Sequence, residues 1–386
     1  MSQQELEQGS LSSGRKRNIV LIVSDYIPAR GGTTTQTRLH AMEFARNGWG
    51  VTVLTRRLWT RLGGEDIDGI SVRRIGIPGR GRVAKGIYLA MSWLWLWRRT
   101  RTLSAVSVIM DADFAIAARL SGLGSRTVLT WVTRGDPTRF LAGQAGVLRR
   151  RLLKTCRHVA LTPNMRTELT TLEISEVVII PVPVDTTRFR RPTELEKRDA
   201  RARLELVSES VILFVGHLQE RKGIDLLLRA LRNLRNSGRN ACLVVVGGPV
   251  ESIDRQYVQR LKNYVNEEGL ANDVIFCGAQ DDVLPFMFAA DVFCLPSHRE
   301  GMPNVLLEAM ACGLSCVAPA SAGGDELLFG GAGIIPLTNS PEDLSEAIDH
   351  ILIHAEERSA VGASAAFRVG GENQPVKIVE EYEKFW

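Results

Sequence analysis

Three observations predict an α/β fold of two doubly wound domains facing each other across a central cleft. Short apolar runs of strand length alternate with stretches of helical periodicity along most of the chain. The 386 residues exceed what one hydrophobic core usually serves. Turn-rich or charged segments follow several of the apolar runs, where a parallel sheet opens its ligand cleft.

The elements follow in order. Residues 1–17 are polar, lack the apolar core of a signal peptide and read as a loose tail containing Arg15-Lys16-Arg17. Asn18–Ser24 (NIVLIVS) reads as a strand, and Pro28-Ala29-Arg30-Gly31-Gly32 as a turn. Leu39, Met42, Phe44 and Ala45 stand at helical spacing between Thr33 and Asn47, and Val51–Thr55 reads as a second strand. Further apolar runs lie at Val106–Met110 and Thr127–Val132.

The second half repeats the alternation. Strands are expected at Val211–Val215, Leu243–Val246, Val274–Phe276, Val292–Leu295, Ser315–Ala318 and Gly333–Pro336. Helices are expected at Ile224–Asn236, Asp254–Glu268, Val283–Ala289, Asn304–Cys312 and Pro341–His354. Such alternation implies parallel sheets covered on both faces. The polar segment Thr186–Lys197, with Pro192, reads as the linker. The domains therefore fall at 18–190 and 191–372, and a helix over 373–386 is expected to pack back on the first domain.

Hydrophobic content of 45% and charged content of 24% exclude a mainly disordered chain. Four of the six cysteines, Cys242, Cys277, Cys294 and Cys316, sit in or beside apolar runs, and no pair has zinc-finger spacing. Reduced core thiols in a cytoplasmic protein are the reading, for Cys312 and Cys316 as well. The net charge of +5 hides a split: residues 1–190 carry 29 Lys/Arg against 14 Asp/Glu, and the remainder 19 against 29. The basic half suits an anionic surface. No nucleic-acid-binding motif accompanies it, so a membrane surface is the reading. Within residues 85–101 (KGIYLAMSWLWLWRRTR) the apolar stretch Ile87–Trp97 is too short to span a bilayer. They read as a segment lying in the membrane interface, or as a buried helix with basic flanks.

The most specific motif runs from Asp291 through Glu300-Gly301-Met302-Pro303-Asn304-Val305-Leu306-Leu307-Glu308 to Gly313. A strand, a loop and a helix opening near Pro303 are expected there. Free amides at Asn304, Val305 and Leu306 would favour a phosphate. Glu300 in the loop and Glu308 on the helix would reach different groups, each carboxylate accepting hydroxyl bonds from a sugar or ribose diol. Val215-Gly216-His217-Leu218-Gln219-Glu220-Arg221-Lys222-Gly223 places two cations between a strand and a helix, fit to balance a diphosphate or simply to form a solvated turn. Gly31-Gly32 permits close backbone approach to phosphate, or makes a plain tight turn. Asp66/Asp68 and Asp111/Asp113 could hold a divalent ion, but acceptor contact or capping is favoured, and Asp111 and Asp113 are expected at the cleft. His350 and His354 read as a solvated helix face.

At these motifs the sequence resembles the retaining glycosyltransferases of family four, with the GT-B fold of two Rossmann-like domains, over nearly the whole chain from Asn18. Gly216-His217-Leu218 with Lys222-Gly223, Glu300 to Gly313, Gly31-Gly32, and Pro181 to Phe189 carry the resemblance. It implies that Lys222 and Arg221, with His217 and Gly32, hold the diphosphate of a nucleotide-sugar donor. The amides of Val305 and Leu306 would meet the phosphate, Glu300, Gly301, Met302 and Asn304 the donor sugar, and Glu308 the ribose. Glu300 and Lys222 would carry catalysis, with no metal and no cofactor beyond the donor. A lipid-linked or polysaccharide-precursor acceptor, handled by a peripheral protein on the inner face of the membrane, completes the expectation. A nucleotide-sugar epimerase or hydrolase, or a non-catalytic donor-binding subunit, are the alternatives. The sequence departs from the family at His217, usually Arg, and at Trp131-Val132-Thr133-Arg134, where a histidine is common.

Overall fold

In a computed structural model of the chain, residues 17–29, 31–57, 63–79, 81–250 and 252–386 are described. The expected tail, with Arg15 and Lys16, lies outside them, as does Arg30 of the expected turn. Arg17 is held: its guanidinium lies 5.0 Å from the Trp49 ring centroid and its carbonyl accepts the Gly50 amide.

The first half runs β1 (Asn18–Val23), α1 (Gly32–Arg46), β2 (Gly50–Arg56), β3 (Gly63–Ile67), β4 (Ile70–Ile75), α2 (Arg82–Trp97), β5 (Ala105–Ile109), α3 (Ala112–Ala118), β6 (Thr127–Trp131), α4 (Asp136–Leu141), α5 (Gly143–Leu153), β7 (Arg157–Ala160), α6 (Pro163–Thr171) and β8 (Val177–Ile179). The strands form one sheet in the order β3-β4-β2-β1-β5-β6-β7-β8, parallel except for the β3–β4 hairpin. Both faces are covered. Ile19, Leu21 and Val23 of β1 pack toward Phe44 of α1, whereas Val20 and Ile22 belong to the cluster holding Tyr88 of α2 and Phe114 of α3. The central strands β1, β5 and β6 are buried at consecutive positions because both of their faces are covered.

The second half runs α7 (Glu194–Arg203), β9 (Ser210–Val215), α8 (Ile224–Asn236), β10 (Ala241–Val246), α9 (Ser252–Glu267), β11 (Val274–Gly278), α10 (Leu284–Ala289), β12 (Val292–Cys294), α11 (Asn304–Ala311), β13 (Ser315–Val317), α12 (Gly324–Leu327), α13 (Pro341–Ile353), α14 (Ala355–Glu372) and α15 (Pro375–Glu383). Its five strands are all parallel, in the order β11-β10-β9-β12-β13. Gly333–Pro336, expected as a strand, contributes only a bridge between Ile334 and Val317. Part of the expected linker is helical: Thr193 and Glu196 form a capping box that starts α7, so the irregular connection ends at Thr193. Asp291 anchors that helix, pairing with Lys197 at 2.8 Å and with Arg201.

Five of the six cysteines are buried and all six are free thiols. Asp66 and Asp68 lie at the β3–β4 turn, where Asp66 caps the turn by accepting the Gly69 amide at 2.9 Å and Asp68 forms an ion pair with Arg38 of α1 at 2.7 Å.

The chain passes between the two sheets twice, over residues 182–193 and again near Asn373. Buried Asn373 touches both passages: its Nδ2 donates to the Val182 carbonyl at 2.8 Å and its carbonyl accepts the Val184 amide at 2.7 Å. Beyond it, α15 lies against α1. Tyr382 shares a 2.7 Å hydrogen bond with Thr130, Trp49 donates to Glu383 at 2.5 Å, and Trp386 donates to the Arg126 carbonyl at 2.8 Å. Among the described residues, no helix is long and apolar enough to cross a membrane.

Candidate active site

Strand order fixes where the site lies. In each sheet the winding reverses direction once, between β1 and β5 in the first and between β9 and β12 in the second. Loops leaving adjacent strands there diverge to opposite faces and open a crevice at the strand C-terminal ends. Gly31-Gly32 follows β1 and Asp111 follows β5. Gly216 to Lys222 follows β9, and Pro296 to Pro303 follows β12.

The two crevices face each other. Asn304 Nδ2 donates to the Gly32 carbonyl at 3.0 Å, Arg299 donates to the Arg134 carbonyl at 2.6 Å, and the Asn164 amide donates to Glu326 at 3.1 Å. Arg134 also lies 3.7 Å from Asp325. Gly301 passes so near the first sheet's loops that a Cβ there would sit 2.2 Å from the Val132 carbonyl oxygen. Of these contacts, the sequence pointed only to Gly32, Gly301 and Asn304. Arg299, Asn164 and the Asp325-Glu326 pair carried no local signal, because their partners are more than 160 residues away.

At the centre, Lys222 Nζ lies 2.5 Å from Glu300 Oε1, and Arg221 Nη1 lies 3.3 Å from the same oxygen. Lys222 ends a 3-10 turn over Glu220–Lys222, closed by Gly223 at φ +66. A Cβ on Gly223 would stand 2.2 Å from the Pro296 carbonyl oxygen, so only glycine lets the two loops meet. Glu300 is set from the other side: its amide donates to the Ser321 carbonyl at 3.0 Å. Burial lowers the Lys222 ammonium below the ordinary lysine value, although Glu300 opposes the shift. Burial also lowers the His217 imidazole, and Lys222 and Arg221 lower it further, so its environment favours the neutral ring.

Two helix starts approach this charge cluster, α1 at Gly31-Gly32 and α11 at Asn304. Pro303 is the N-cap of α11, one residue before the position expected for it. The Leu306 amide bonds back to the Pro303 carbonyl at 3.0 Å, so it does not stand free as expected. The Asn304 and Val305 amides remain at the helix start. Both helices turn the positive ends of their dipoles toward one place, which suits an anion.

Glu308 lies a turn further along α11. Burial pushes its carboxyl up to about 7, with Arg188 opposing the shift. Met302 packs at the margin of the second core. On the first sheet, Lys85 reaches both Asp113 at 2.8 Å and Asp111 at 3.3 Å, and Asp111 also accepts from Ser24 at 3.4 Å. Burial raises the Asp111 carboxyl, while Lys85 counteracts it. Trp131, where the sequence departs from the common pattern, is buried and donates to His158 Nδ1 at 3.2 Å.

The arrangement can hold an anionic, hydroxyl-bearing ligand between the sheets. Cations and helix amides meet the charge, and carboxylates on three sides accept hydroxyls.

The family model described as Glycosyltransferase Family 4 matches residues 30–188, and the one described as Glycosyl transferases group 1 matches residues 196–366. Over 195 residues the chain is 31% identical to a GDP-mannose-dependent alpha-(1-6)-phosphatidylinositol monomannoside mannosyltransferase of Mycobacterium tuberculosis, a stretch covering 48% of this chain and 49% of that one. Over 234 residues it is 32% identical to a D-inositol 3-phosphate glycosyltransferase of Kineococcus radiotolerans, covering 56% and 53%. The chain thus spans about half the length of the curated relatives it matches. Among solved structures, sucrose-phosphate synthase from Thermosynechococcus elongatus superposes with a TM-score of 0.79 at 20% identity, over 96% of this chain and 98% of that one. Anabaena HepE in complex with UDP and glucose superposes with a TM-score of 0.75 at 17% identity, over 95% and 98%. At these identities the structures share a fold.

Proposed function

Since the chain belongs to glycosyltransferase family four and has the GT-B fold, we propose that it transfers a sugar from a nucleotide-diphosphate donor to a lipid-linked or polysaccharide-precursor acceptor. The observation that carries this reading is the Lys222–Glu300–Arg221 cluster set between the starts of α1 and α11. Transfer breaks the bond between the donor's anomeric carbon and its phosphate oxygen, so negative charge grows on the departing diphosphate. Lys222, Arg221 and the helix amides are preorganised to meet that charge. The protein's own cations supply what a divalent ion would, and the reaction is metal-independent in this reading.

The donor diphosphate competes with Glu300 for Lys222 and Arg221. When it binds, the cations turn to phosphate, and Glu300 turns to the sugar hydroxyls beside Asn304 and the backbone of Gly301 and Met302. Glu308 takes the ribose diol, and Gly32 closes from the first domain. The acceptor hydroxyl attacks on the leaving-group face and its proton passes to the departing phosphate oxygen, which retains the anomeric configuration. Asp111 and Asp113 face the acceptor.

The name of one relative, a phosphatidylinositol monomannoside mannosyltransferase, supports a lipid-linked acceptor. A peripheral position at an anionic membrane is consistent with the basic first half and with Trp93 and Trp97, which are 40% and 56% exposed on α2. A thermal-shift screen against UDP-, GDP- and ADP-sugars tests the donor reading. One or more should raise the melting temperature of the parent protein and not of Lys222→Ala; no shift with any donor removes the reading.

A further inference from the structure

We infer that the shallow groove between α2 and α3 is the seat of a hydrocarbon chain carried by the acceptor, whose hydroxylated head group lies at Asp111 and Asp113. This rests on the glycosyltransferase reading and adds the acceptor's second anchor point. The groove has a volume of about 250 Å³, and Leu89, Ala90, Trp93, Ile116, Ala117 and Leu120 line it. Its only charged lining residue is Asp113, at one end. That end opens beside Lys85 and Asp111, at the cleft edge of the first sheet. The other end runs out past Trp93 and Leu120, which are 40% and 60% exposed.

The shape argues for a chain rather than a compact ligand. Pockets for compact small molecules usually measure about 300–1,000 Å³ and carry several converging polar groups. This groove is smaller and apolar along its length. It follows Gly86, Ala90 and Trp93 on α2, facing Asp113 and Ala117 on α3 and Leu120 in the π-helical turn (Arg119–Leu123) that continues it. From Gly86 to Trp93 the α2 axis advances roughly 10 Å, a linear track. Small residues keep it open: Gly86 and Ala90 on one wall, Ala117 on the other. A Cβ on Gly86 would meet nothing within 4 Å.

Its position argues for the acceptor rather than a partner protein or a second copy. The charged end lies beside Lys85 and Asp111, where β5 ends at the edge of the cleft, so an occupant there is led toward the candidate active site. The Asp111–Asp113–Lys85 group carries a net negative charge, which suits hydroxyls better than a bare phosphate. At the far end Trp97 stacks on Trp93, with ring centroids 6.4 Å apart, and Arg99 covers Trp95 at 4.2 Å from its ring centroid. Aromatic rings beside arginines suit the place where a chain leaves the protein for a lipid surface.

Methyl, octyl and decyl α-D-mannopyranosides, used below their micelle concentrations, probe the groove through quenching of tryptophan emission. Binding should strengthen at least tenfold from the methyl to the decyl compound. Gly86→Leu, which fills the groove from a helix position with free space, should abolish that gain while leaving the thermal shift by nucleotide sugars intact. Leu120→Asp should do the same from the other wall. The inference is overturned if the parent binds all three glycosides alike, or if both variants keep the chain-length gain. It is equally overturned if the variants lose only co-sedimentation with phosphatidylglycerol vesicles, since the face then serves membrane docking alone. Loss of every nucleotide-sugar shift in the parent would instead sink the glycosyltransferase reading.

Discussion

Lys222 and Glu300, 78 residues apart in sequence, meet at 2.5 Å with side chains only 10% and 11% exposed. Neither charge is free in the absence of donor, so the pair stores a cation that a diphosphate can claim. Lys222→Ala and Glu300→Ala should each lower kcat about 10²–10³-fold. Both proteins should retain parent far-ultraviolet circular dichroism. In a double-mutant cycle the two losses should fall short of additive, because both residues hold the same donor for one transition state and either change alone already spoils its placement. Additive losses would mean that the residues act independently.

The Glu308 carboxyl, raised to about 7 by burial, gives a pH dependence with a definite sign. Its folded-state value lies above that of an unfolded glutamate. The protonated form is therefore favoured by folding, and this contribution to stability is present below the unfolded value and lost as pH rises through about 7. Nucleotide binding runs the other way. In the proposed donor site a ribose diol would donate to the ionised carboxylate, so donor affinity should fall as pH drops from 8 to 6 (roughly tenfold per unit well below the group's value). Glu308→Gln should bind the donor weakly with a flattened profile between those pH values, as calorimetric titration would show.

Gly301→Ala should widen the gap between the lobes. The added methyl would lie 2.2 Å from the Val132 carbonyl oxygen and 2.8 Å from Thr133 Cα. Because these atoms belong to opposite sides of the cleft, separation relieves the clash without unfolding either sheet. The melting temperature should hold while kcat/KM falls about 10²-fold, the usual effect of misplacing reacting groups by an ångström.

Tyr382→Phe separates stability from chemistry. The hydroxyl meets Thr130 at 2.7 Å in a buried contact between α15 and β6. Its loss leaves the Thr130 hydroxyl buried with a missing partner and should cost about 1–2 kcal/mol in urea unfolding. The donor KM should stay at the parent value.

Turnover should be unchanged in excess EDTA, since Lys222, Arg221 and the helix starts are the proposed counter-charges. A loss restored by added Mg²⁺ or Mn²⁺ would place an ion between the diphosphate and Asp111 or Asp113.

Helix α8 is legible in the sequence to the residue, because its leucines fall on one face and its polar residues on the other. Helix α14 is not, and the reason is packing. Its Gly362 would, with a Cβ, stand 2.1 Å from the Gly313 carbonyl oxygen. A glycine that admits the cap of α11 looks, in sequence, like a break. The β3–β4 hairpin is hidden by the polar run Gly-Gly-Glu-Asp, and β7 and β8 by their length of four and three residues. At the site, the loops were legible because helix-start and charge patterns are local. The Lys222–Glu300 contact was not, since both residues read as separate ligand contacts until strand order sets their loops side by side. The Trp-rich segment is a helix, so its alternating tryptophans do not share a face: Trp93 and Trp97 point outward, while Trp95 is half-covered beneath Arg99.

The bonds of Asn373 to Val182 and Val184 have a mechanical consequence. Two passages of chain between the lobes, fastened together by these bonds, resist sliding and favour rotation about Asn373 as the easier motion. Displacement then grows with distance from the pivot. Small angular changes at Asn373 would be read out as opening and closing at the cleft contacts of Gly32, Val132 and Asn164. Asn373→Ala would loosen the pivot without touching any group in the cleft, letting the lobes meet out of register.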